Sequence, residues 1–374
     1  MLFVTCGSEL EPLLQQELDA LGYETRLGYR GVFVTDDSME AIYRINYLSR
    51  IATRVLLPLL QFNCRNRQNL YDAVSTIDWT PYFPPNTSFV IDANVSNLPT
   101  LKNSLFASQV VKDAICDQLT QNGKERPDVN LKHPKMRLNL FIQRTQATLS
   151  FDTSLNSLNK RGYRQSMSEA PLQESLAAAL LYLAEYDGSQ VLYDPCAGSG
   201  TFLIEAAMIA TKTPAGFFRR EWGFMRHPQF SKEKWLALKA EEDAKRIPLE
   251  RKKIYGTESS VEQAKFCRSH LRNVGIVDEV FLSTKDFQEF EPPVPPDFMI
   301  SNPPHGRRLG DVGELKPLYR ALGDWMKRKM AKPARAFIFT TSLELSKEVG
   351  LKPSRRHVIK QSNQDARFLA FDIF

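Results

Sequence analysis

The sequence has no run of about 18 to 20 apolar residues, the length that a membrane-spanning helix needs. It begins MLFVTCGSELEP, without the basic segment and long apolar stretch of a secretory leader. Its five cysteines are odd in number and show no CxxC spacing, and only five histidines are present. These absences predict a cytoplasmic protein with reduced thiols, no membrane association and no bound metal.

Neither sign of charge is in large excess, since 49 basic residues face 43 acidic ones and the formal net charge is +6. The distribution is uneven. Residues 101–150 carry 8 basic and 4 acidic side chains, and residues 301–374 carry 15 and 7. Two basic regions at separate places in the chain permit a nucleic-acid partner without requiring one.

The residue pattern changes near residue 155. Before it, strand-like runs alternate with amphipathic stretches, which predicts one or two α+β layers. The strand-like runs include Leu2–Cys6, Gly31–Thr35, Ser88–Asn94 and Leu138–Phe151, and the amphipathic stretches include Glu9–Leu21 and Leu105–Leu119. No fixed-period repeat is present, which argues against a solenoid.

After residue 170, short apolar strands alternate regularly with helices, as in a parallel sheet covered on both faces. This half is predicted to be a doubly wound α/β domain. Its predicted strands are 190–194, 252–257, 279–283, 297–301 and 335–341, and its predicted helices are 171–186, 201–211, 260–273 and 313–330. Residues 213–251 interrupt this order as an insertion that is helical from about 231 to 246. A closing hairpin is predicted at the end, with Ser362–Gln364 near its turn.

The first of these strands runs directly into a glycine-rich loop, Asp194–Thr201, and then into a helix. Glycine lets a ligand approach the backbone closely because it has no Cβ. A phosphate-binding P-loop needs Lys before a Ser or Thr after the last glycine, whereas Thr201 and Phe202 follow here. A dinucleotide fingerprint needs a third glycine where Leu203 stands. The candidate cofactor residues in this loop are Asp194, Cys196, Ala197, Gly198, Gly200 and Thr201.

Two further strand ends carry polar side chains that suit an adenosine. Glu258 follows the second strand, where a carboxylate grips a ribose diol. Asp286 and Phe287 follow the third, offering an acceptor to an adenine amine and a ring to its face. Asp194 disfavours a polyanion and suits an ammonium group. Together these residues predict S-adenosylmethionine as the cofactor.

The fourth strand leads into Ser301, Asn302, Pro303, Pro304, His305 and Gly306. Consecutive prolines stiffen the backbone and remove two N–H donors, so hydrogen-bond acceptors dominate there. The Asn302 side-chain oxygen and the Pro303 carbonyl can both accept from one NH₂ group, and His305 can lie flat against a base. The candidate catalytic residues are therefore Asn302, Pro303, Pro304 and His305. Positioning and desolvation, rather than a strong base, are expected to drive methylation of an amine.

Asp194–Thr201, Tyr255–Glu258 and Asn302–Gly306 together resemble class I S-adenosylmethionine-dependent methyltransferases of the amino-methylating N-P-P-aromatic type. Upstream, Leu158–Arg164 and Ala170–Ala179 are similar to the segment that introduces this domain in THUMP-bearing guanine-N2 RNA methyltransferases. The resemblance covers most of the chain, which is similar to the amino-terminal part of the long bifunctional bacterial form.

The resemblance implies a Rossmann-like methyltransferase domain with a seven-stranded, mostly parallel sheet over 156–374. It also implies a ferredoxin-like domain over 1–55 and an RNA-binding THUMP domain over 56–155. The implied reaction is methylation of a guanine N2 in 23S ribosomal RNA, free or in a pre-50S particle. The family usually has Tyr where His305 stands.

Three other functions stay open from the sequence. The same reaction on tRNA would use the same site and the same RNA-binding module. Adenine-N6 methylation of DNA uses a similar tetrad, although the RNA-binding half argues against it. A factor that binds RNA but has lost the chemistry is kept open by His305.

Basic residues in both halves are candidates for contacts with structured RNA. Arg161 and Arg164 lie in the segment that introduces the methyltransferase fold, and they either touch RNA or shape the cofactor pocket. Arg307 and Arg308 follow the tetrad and suit phosphates beside a flipped base. The candidate RNA-binding residues are Lys132, Lys135, Arg137, Arg161, Arg164, Arg307 and Arg308.

Overall fold

A computed structural model describes residues 1–101, 103–164, 171–306, 312–361 and 364–374. The first half is one mixed sheet with helices packed against it. Its elements are β1 (Leu2–Thr5), α1 (Glu11–Ala20), β2 (Thr25–Gly28), β3 (Gly31–Val34), α2 (Met39–Leu48), β4 (Arg54–Asn63), α3 (Arg67–Ser75), β5 (Phe89–Ser96), α4 (Ser104–Gln121), β6 (Met136–Gln143) and β7 (Gln146–Asp152).

The strands of this first sheet lie in the order β2-β3-β1-β4-β7-β6-β5. The long strand β4 pairs with β1 through its first residues and with β7 along most of its length. Because β4 crosses position 55, where the sequence predicts a boundary, the two predicted domains share one continuous sheet.

Leu138–Phe151, predicted as one strand-like run, forms two strands. β6 and β7 pair antiparallel, with Gln143 opposite Gln146. Arg144, in the turn between them, adopts a φ of 56°. The run contains no Gly, Pro or Asn at this point, so the usual sequence signal for a hairpin is missing.

The second half is the doubly wound domain that the sequence predicts. Its elements are α5 (Glu174–Leu183), β8 (Leu192–Asp194), α6 (Thr201–Ala210), α7 (Lys232–Asp243), β9 (Ile254–Thr257), α8 (Val261–Val274), β10 (Phe281–Ser283), β11 (Phe298–Ser301), α9 (Val312–Lys329), β12 (Ala334–Thr340), α10 (Leu343–Glu348), β13 (Arg355–Gln361) and β14 (Gln364–Ile373).

Within the described ranges its seven strands lie in the order β10-β9-β8-β11-β12-β14-β13. Only β14 runs against the others. The predicted closing hairpin is therefore confirmed as β13 and β14, although Ser362 and Asn363 of the predicted turn lie outside the described residues. β8, β9 and β11 are buried along their whole length, as expected for strands covered on both faces.

The insertion 213–251 packs against α2 of the first half. Tyr47 meets Trp222 and Trp235 edge to face, with ring centroids 6.3 and 5.3 Å apart. As a result, a single hydrophobic core contains side chains from the first 55 residues and side chains from strands of the second sheet. The helix predicted over 231–246 is confirmed as α7.

In the described part of the chain, no helix is both long and apolar enough to cross a membrane.

Candidate active site at the carboxyl ends of the parallel strands

The second sheet reverses its strand order at β8, which has β9 on one side and β11 on the other. In open α/β sheets, ligands bind in the crevice outside the carboxyl ends of the strands at such a switch point. The three strands end at Asp194, at Thr257 just before Glu258, and at Ser301 just before Asn302. The topology therefore brings the two predicted constellations together.

The glycine loop is folded back onto the end of β9. The Ala197 N–H donates to the Thr257 carbonyl at 2.9 Å. Gly200 begins α6 with a φ of 85°, and a Cβ there would lie 2.5 Å from the Cys267 sulfur. Gly198 has a φ of 54°, and a Cβ there would meet nothing within 4 Å. Gly200 is thus needed for packing, whereas Gly198 faces open space that a ligand can enter.

The carboxylate of Glu258 is oriented by two backbone donors. The Gly198 N–H donates to one of its oxygens and the Ser260 N–H to the other, both at 2.8 Å. The Ser260 hydroxyl in turn accepts from the Gln263 N–H and caps α8. Because each carboxylate oxygen accepts more than one hydrogen bond, both can still bind the hydroxyls of a diol.

Asp194 is only 1% exposed, and it has no cationic partner among the described residues. Its Oδ1 accepts from the Ser301 hydroxyl at 2.7 Å and from the Cys196 N–H at 3.1 Å. Burial raises the pKa of Asp194 to about 7, the charge of Glu258 adds to this, and the two hydrogen bonds oppose it. A buried carboxylate lacking a counter-charge suits a cationic ligand.

The predicted cofactor fits three features of this site: the open space at Gly198, the oriented carboxylate of Glu258, and the carboxylate of Asp194, which has no cationic partner among the described residues.

The predicted adenine contacts are not resolved by the geometry. Asp286 is half-buried and accepts from the Gln288 N–H at 2.8 Å. Phe287 is 3% exposed and belongs to a buried cluster with Tyr193. Contacts of Asp286 and Phe287 with adenine stay predictions.

Arg164 lies against the cofactor loop. Its guanidinium donates to the hydroxyls of Thr201 at 2.5 Å and Ser199 at 3.3 Å, and it pairs with Glu174 at 2.7 Å. These contacts are compatible with the pocket-shaping role that the sequence left open for Arg164, and its contact with RNA stays a prediction.

Arg161 does not lie on the surface. It is 1% exposed, and two of its guanidinium nitrogens contact the two carboxylate oxygens of Glu205, each at 3.3 Å. It also donates to the Leu158 and Arg50 carbonyls. The prediction of an RNA contact at Arg161 is therefore wrong. The guanidinium is buried against Glu205, so a phosphate at the surface cannot contact it.

The acceptor corner after β11 contains a buried acceptor without a partner. Asn302 Oδ1 is shielded from solvent and accepts no hydrogen bond from the described residues. His305 Nδ1 lies 2.9 Å from the Pro303 carbonyl. Burial lowers the pKa of His305, so its ring is neutral at pH 7, and Nδ1 must carry the proton to donate to that carbonyl. The sequence did not predict this contact.

Three of the remaining predicted RNA-binding residues, Lys132, Lys135 and Arg137, belong to the first half of the chain. Lys132 and Lys135 are exposed, and Lys135 Nζ donates to the Asn86 carbonyl at 2.8 Å. Arg137 is 13% exposed and pairs with Asp92 at 2.7 Å. Arg307 and Arg308 lie outside the described residues.

Two site residues were missed by the sequence analysis. Ser301 links the acceptor corner to Asp194. Thr257 bonds both the Tyr193 hydroxyl at 2.8 Å and the Pro195 carbonyl at 2.9 Å. Each is the last residue of a strand whose following residues the sequence analysis assigned to the site. Its position at the carboxyl end of that strand was the signal that could have identified it.

Three segments of the chain match known domain families. Residues 161–368 match a family described as RMKL-like, methyltransferase domain. Residues 64–152 match the THUMP domain, and residues 1–56 match the RlmL ferredoxin-like domain. Among solved structures, a putative methyltransferase complexed with SAH has a TM-score of 0.88 at 26% identity, covering 100% of this chain and 98% of that one.

Two curated relatives illustrate the range of lengths. A putative RNA methyltransferase from Synechocystis is 32% identical over 379 residues, covering 100% of this chain and 96% of that protein. The ribosomal RNA large subunit methyltransferase K/L of Methylococcus capsulatus is 33% identical over 383 residues, covering 99% of this chain and 51% of that protein. The chain thus spans about half the length of the second relative.

Proposed function

The chain belongs to the family of RMKL-like methyltransferase domains, and from that premise we propose that it methylates the exocyclic N2 amine of a guanine in 23S ribosomal RNA. S-adenosylmethionine is the methyl donor. The substrate is the free RNA or a pre-50S particle.

The side-chain oxygen of Asn302, which has no partner among the residues that the structure describes, carries this proposal. A buried acceptor that forms no hydrogen bond costs about 1 to 3 kcal/mol, so its retention indicates a donor that arrives with the substrate. The donor-poor corner formed by Pro303 and Pro304 suits an NH₂ group, which brings two protons. The hydrogen bond between Ser301 and Asp194 ties this corner to the cofactor loop.

The chain's own residues position the amine rather than deprotonate it. Asn302 Oδ1 accepts one N–H, and the Pro303 carbonyl, which has a second lone pair beyond the one that faces His305, accepts the other. Fixing both N–H bonds aims the nitrogen lone pair at the methyl group. The neutral His305 ring adds no positive charge beside an amine that becomes cationic on methylation.

The cofactor would be held by the residues at the ends of β8 and β9. Glu258 would accept from the ribose hydroxyls, Asp194 would face positive charge, and the backbone at Gly198 would lie against the ligand. When bound, S-adenosylmethionine supplies an electrophilic methyl group on a sulfonium.

The choice of guanine rests on the family resemblance of the motifs, and the choice of ribosomal RNA rests on the name of a relative. The N-P-P-His corner and the THUMP match resemble guanine-N2 RNA methyltransferases. The Methylococcus relative is named for the large-subunit ribosomal RNA. We assign RNA binding to residues 56–155, catalysis to 156–374 and a ferredoxin-like domain to 1–55. The five cysteines, which form no disulfide, support a reducing cytoplasmic setting.

Methyl transfer from tritiated S-adenosylmethionine tests the proposal on four substrates: 23S RNA, pre-50S particles, tRNA and duplex DNA. We expect incorporation into 23S RNA or pre-50S particles, recovered as N2-methylguanosine after digestion. Asn302→Ala should abolish transfer while calorimetry shows nearly unchanged cofactor affinity. Glu258→Ala is the reciprocal variant and should weaken cofactor binding by about 1.5 to 3 kcal/mol for each charged hydrogen bond lost.

Each alternative predicts a different result. Incorporation into tRNA alone would move the function to transfer RNA, and N6-methyladenine in DNA would overturn the RNA assignment. A wild-type protein that binds RNA but not S-adenosylmethionine would be an assembly factor without activity. Loss of cofactor affinity in Asn302→Ala would show that Asn302 is structural.

A further inference from the structure

An exposed hairpin of the first sheet carries aromatic and basic side chains that the proposed reaction does not use. β2 and β3 close between Gly28 and Gly31, and the two residues between these glycines are Tyr29 and Arg30. Tyr29 is 75% exposed, the largest exposure of any aromatic side chain in the described residues apart from the terminal Phe374. Arg26, on β2, is also exposed.

The arginines of this hairpin lie over rings. The Arg26 guanidinium carbon is 4.7 Å from the centroid of Phe33, and that of Arg30 is 5.7 Å from the centroid of Tyr29. The Phe33 ring is itself 4.8 Å from that of Phe3 on the neighbouring strand. Aromatic rings and guanidinium planes are the surfaces on which single-stranded nucleotides stack.

Glycine makes this ring arrangement possible. A Cβ on Gly28 would lie 2.8 Å from the Phe33 ring, and a Cβ on Gly31 would lie 2.8 Å from the Phe3 ring. Both distances are shorter than atoms can approach. The two rings therefore pack directly on the backbone at the closed end of the hairpin.

The hairpin is positively charged, whereas the first 50 residues as a whole are acidic. Residues 1–50 contain 8 acidic and 4 basic side chains. Arg44 pairs with Glu242, and Arg50 is buried. The other two, Arg26 and Arg30, have no carboxylate partner among the described residues. Segment 25–35 contains no acidic residue at all.

Arg30 also occupies a costly backbone conformation. Its φ is 56°, in the left-handed region where glycine is the favoured residue. A side chain with a Cβ is disfavoured in this conformation, so glycine at position 30 would suit the backbone better.

The hairpin is connected to the segment that enters the active site. Gly31 pairs with Thr5 at the end of β1. The Thr53 N–H donates to the Thr5 carbonyl at 2.7 Å, and the Leu158 N–H donates to the Thr53 carbonyl at 2.8 Å. Six residues after Leu158, Arg164 holds the cofactor loop.

We propose that Arg26, Tyr29 and Arg30 form a second RNA-binding site, at which a single-stranded segment of the substrate stacks on Tyr29 and the arginines contact its phosphates. The inference rests on the proposed RNA substrate. The occupant is RNA rather than a protein because two unpaired cations and ring faces dominate the surface, whose one large exposed aliphatic side chain is Leu27.

Binding of a fluorescein-labelled oligouridine of about ten nucleotides to the full chain tests the site. Uridine has no exocyclic amine, so the result is independent of the methylation chemistry and of the Asn302 test. Tyr29→Ala should weaken binding at least about fivefold, whereas Tyr29→Phe should bind nearly as wild type. Ultraviolet crosslinking should label the peptide that contains Tyr29.

The variant Arg30→Gly distinguishes a loss of RNA binding from a loss of stability. Glycine suits the positive φ, so this variant should melt no lower than wild type while binding oligouridine more weakly and with a reduced salt dependence. Arg328→Gln, an exposed arginine on α9, is the matched charge control and should bind as wild type. Unchanged affinity in Tyr29→Ala and Arg30→Gly, or crosslinks confined to residues 56–155, would overturn the proposal and direct attention to a protein partner.

Discussion

Ser301 donates its hydroxyl hydrogen to Asp194 across 2.7 Å, and so joins the end of β11 to the end of β8. The two strands carry different parts of the predicted site. Asp194 opens the loop proposed to hold the cofactor, and Ser301 precedes Asn302, the proposed acceptor of the amine. One hydrogen bond between neighbouring strands thus joins the two predicted parts.

Asp194→Asn should stabilise the ligand-free protein at alkaline pH. Burial raises the pKa of Asp194 from an ordinary 3.8 to about 7, so the native state holds a proton that the unfolded state releases. The free energy of unfolding therefore falls as pH rises from about 4 to about 7, by up to about 4 kcal/mol from this group. Urea unfolding should show the variant more stable than wild type at pH 8 and similar at pH 4. An equal difference at both values would contradict this account.

The two loop glycines should fail in different ways. Gly200→Ala forces a Cβ against the Cys267 sulfur at 2.5 Å and should lower the melting temperature markedly. Gly198→Ala meets no atom, so its stability cost should be limited to about 1 to 2 kcal/mol for the positive φ. Calorimetry should nevertheless show weaker binding of S-adenosylmethionine to Gly198→Ala. Unchanged affinity would place the ligand elsewhere.

Arg161→Met should destabilise the fold without acting on RNA directly. The change leaves Glu205 buried and unpaired, which costs about 3 to 5 kcal/mol. Urea unfolding measures the loss, and the double variant Arg161→Met with Glu205→Leu should recover part of it. Oligouridine affinity should stay at the wild-type value. A selective loss of RNA affinity at normal stability would restore the original prediction for Arg161.

His305 should act mainly through its ring. His305→Ala should lower kcat/KM for RNA at least about fivefold, because stacking contributes about 1 to 3 kcal/mol for each base. His305→Phe keeps a ring but loses the hydrogen bond to the Pro303 carbonyl, and it should retain most of the activity. Equal losses in both variants would show instead that this hydrogen bond positions the carbonyl.

Much of the site was predictable because it is local in sequence. Each motif directly follows an apolar strand, and parallel strands present their carboxyl ends at one edge. The loop at Asp194, Glu258 and the corner at Asn302 could therefore be assigned to one crevice. Arg161 and the hairpin at Arg144 were misread, because burial against distant residues and a turn without turn residues leave no local signal.

The amino-acid order alone determined the alternation of strands and helices, the composition of the glycine loop and the donor-poor corner at Pro303 and Pro304. These are properties of neighbouring residues and of backbone stiffness. Tertiary structure alone decided that Arg164 contacts the loop at Asp194–Thr201 and that Arg161 is buried against Glu205. It also decided that Asn302 Oδ1 is shielded from solvent and has no donor among the described residues. Each of these three features depends on whether a side chain is buried. Burial is decided only when helices and strands that are far apart in the chain pack together.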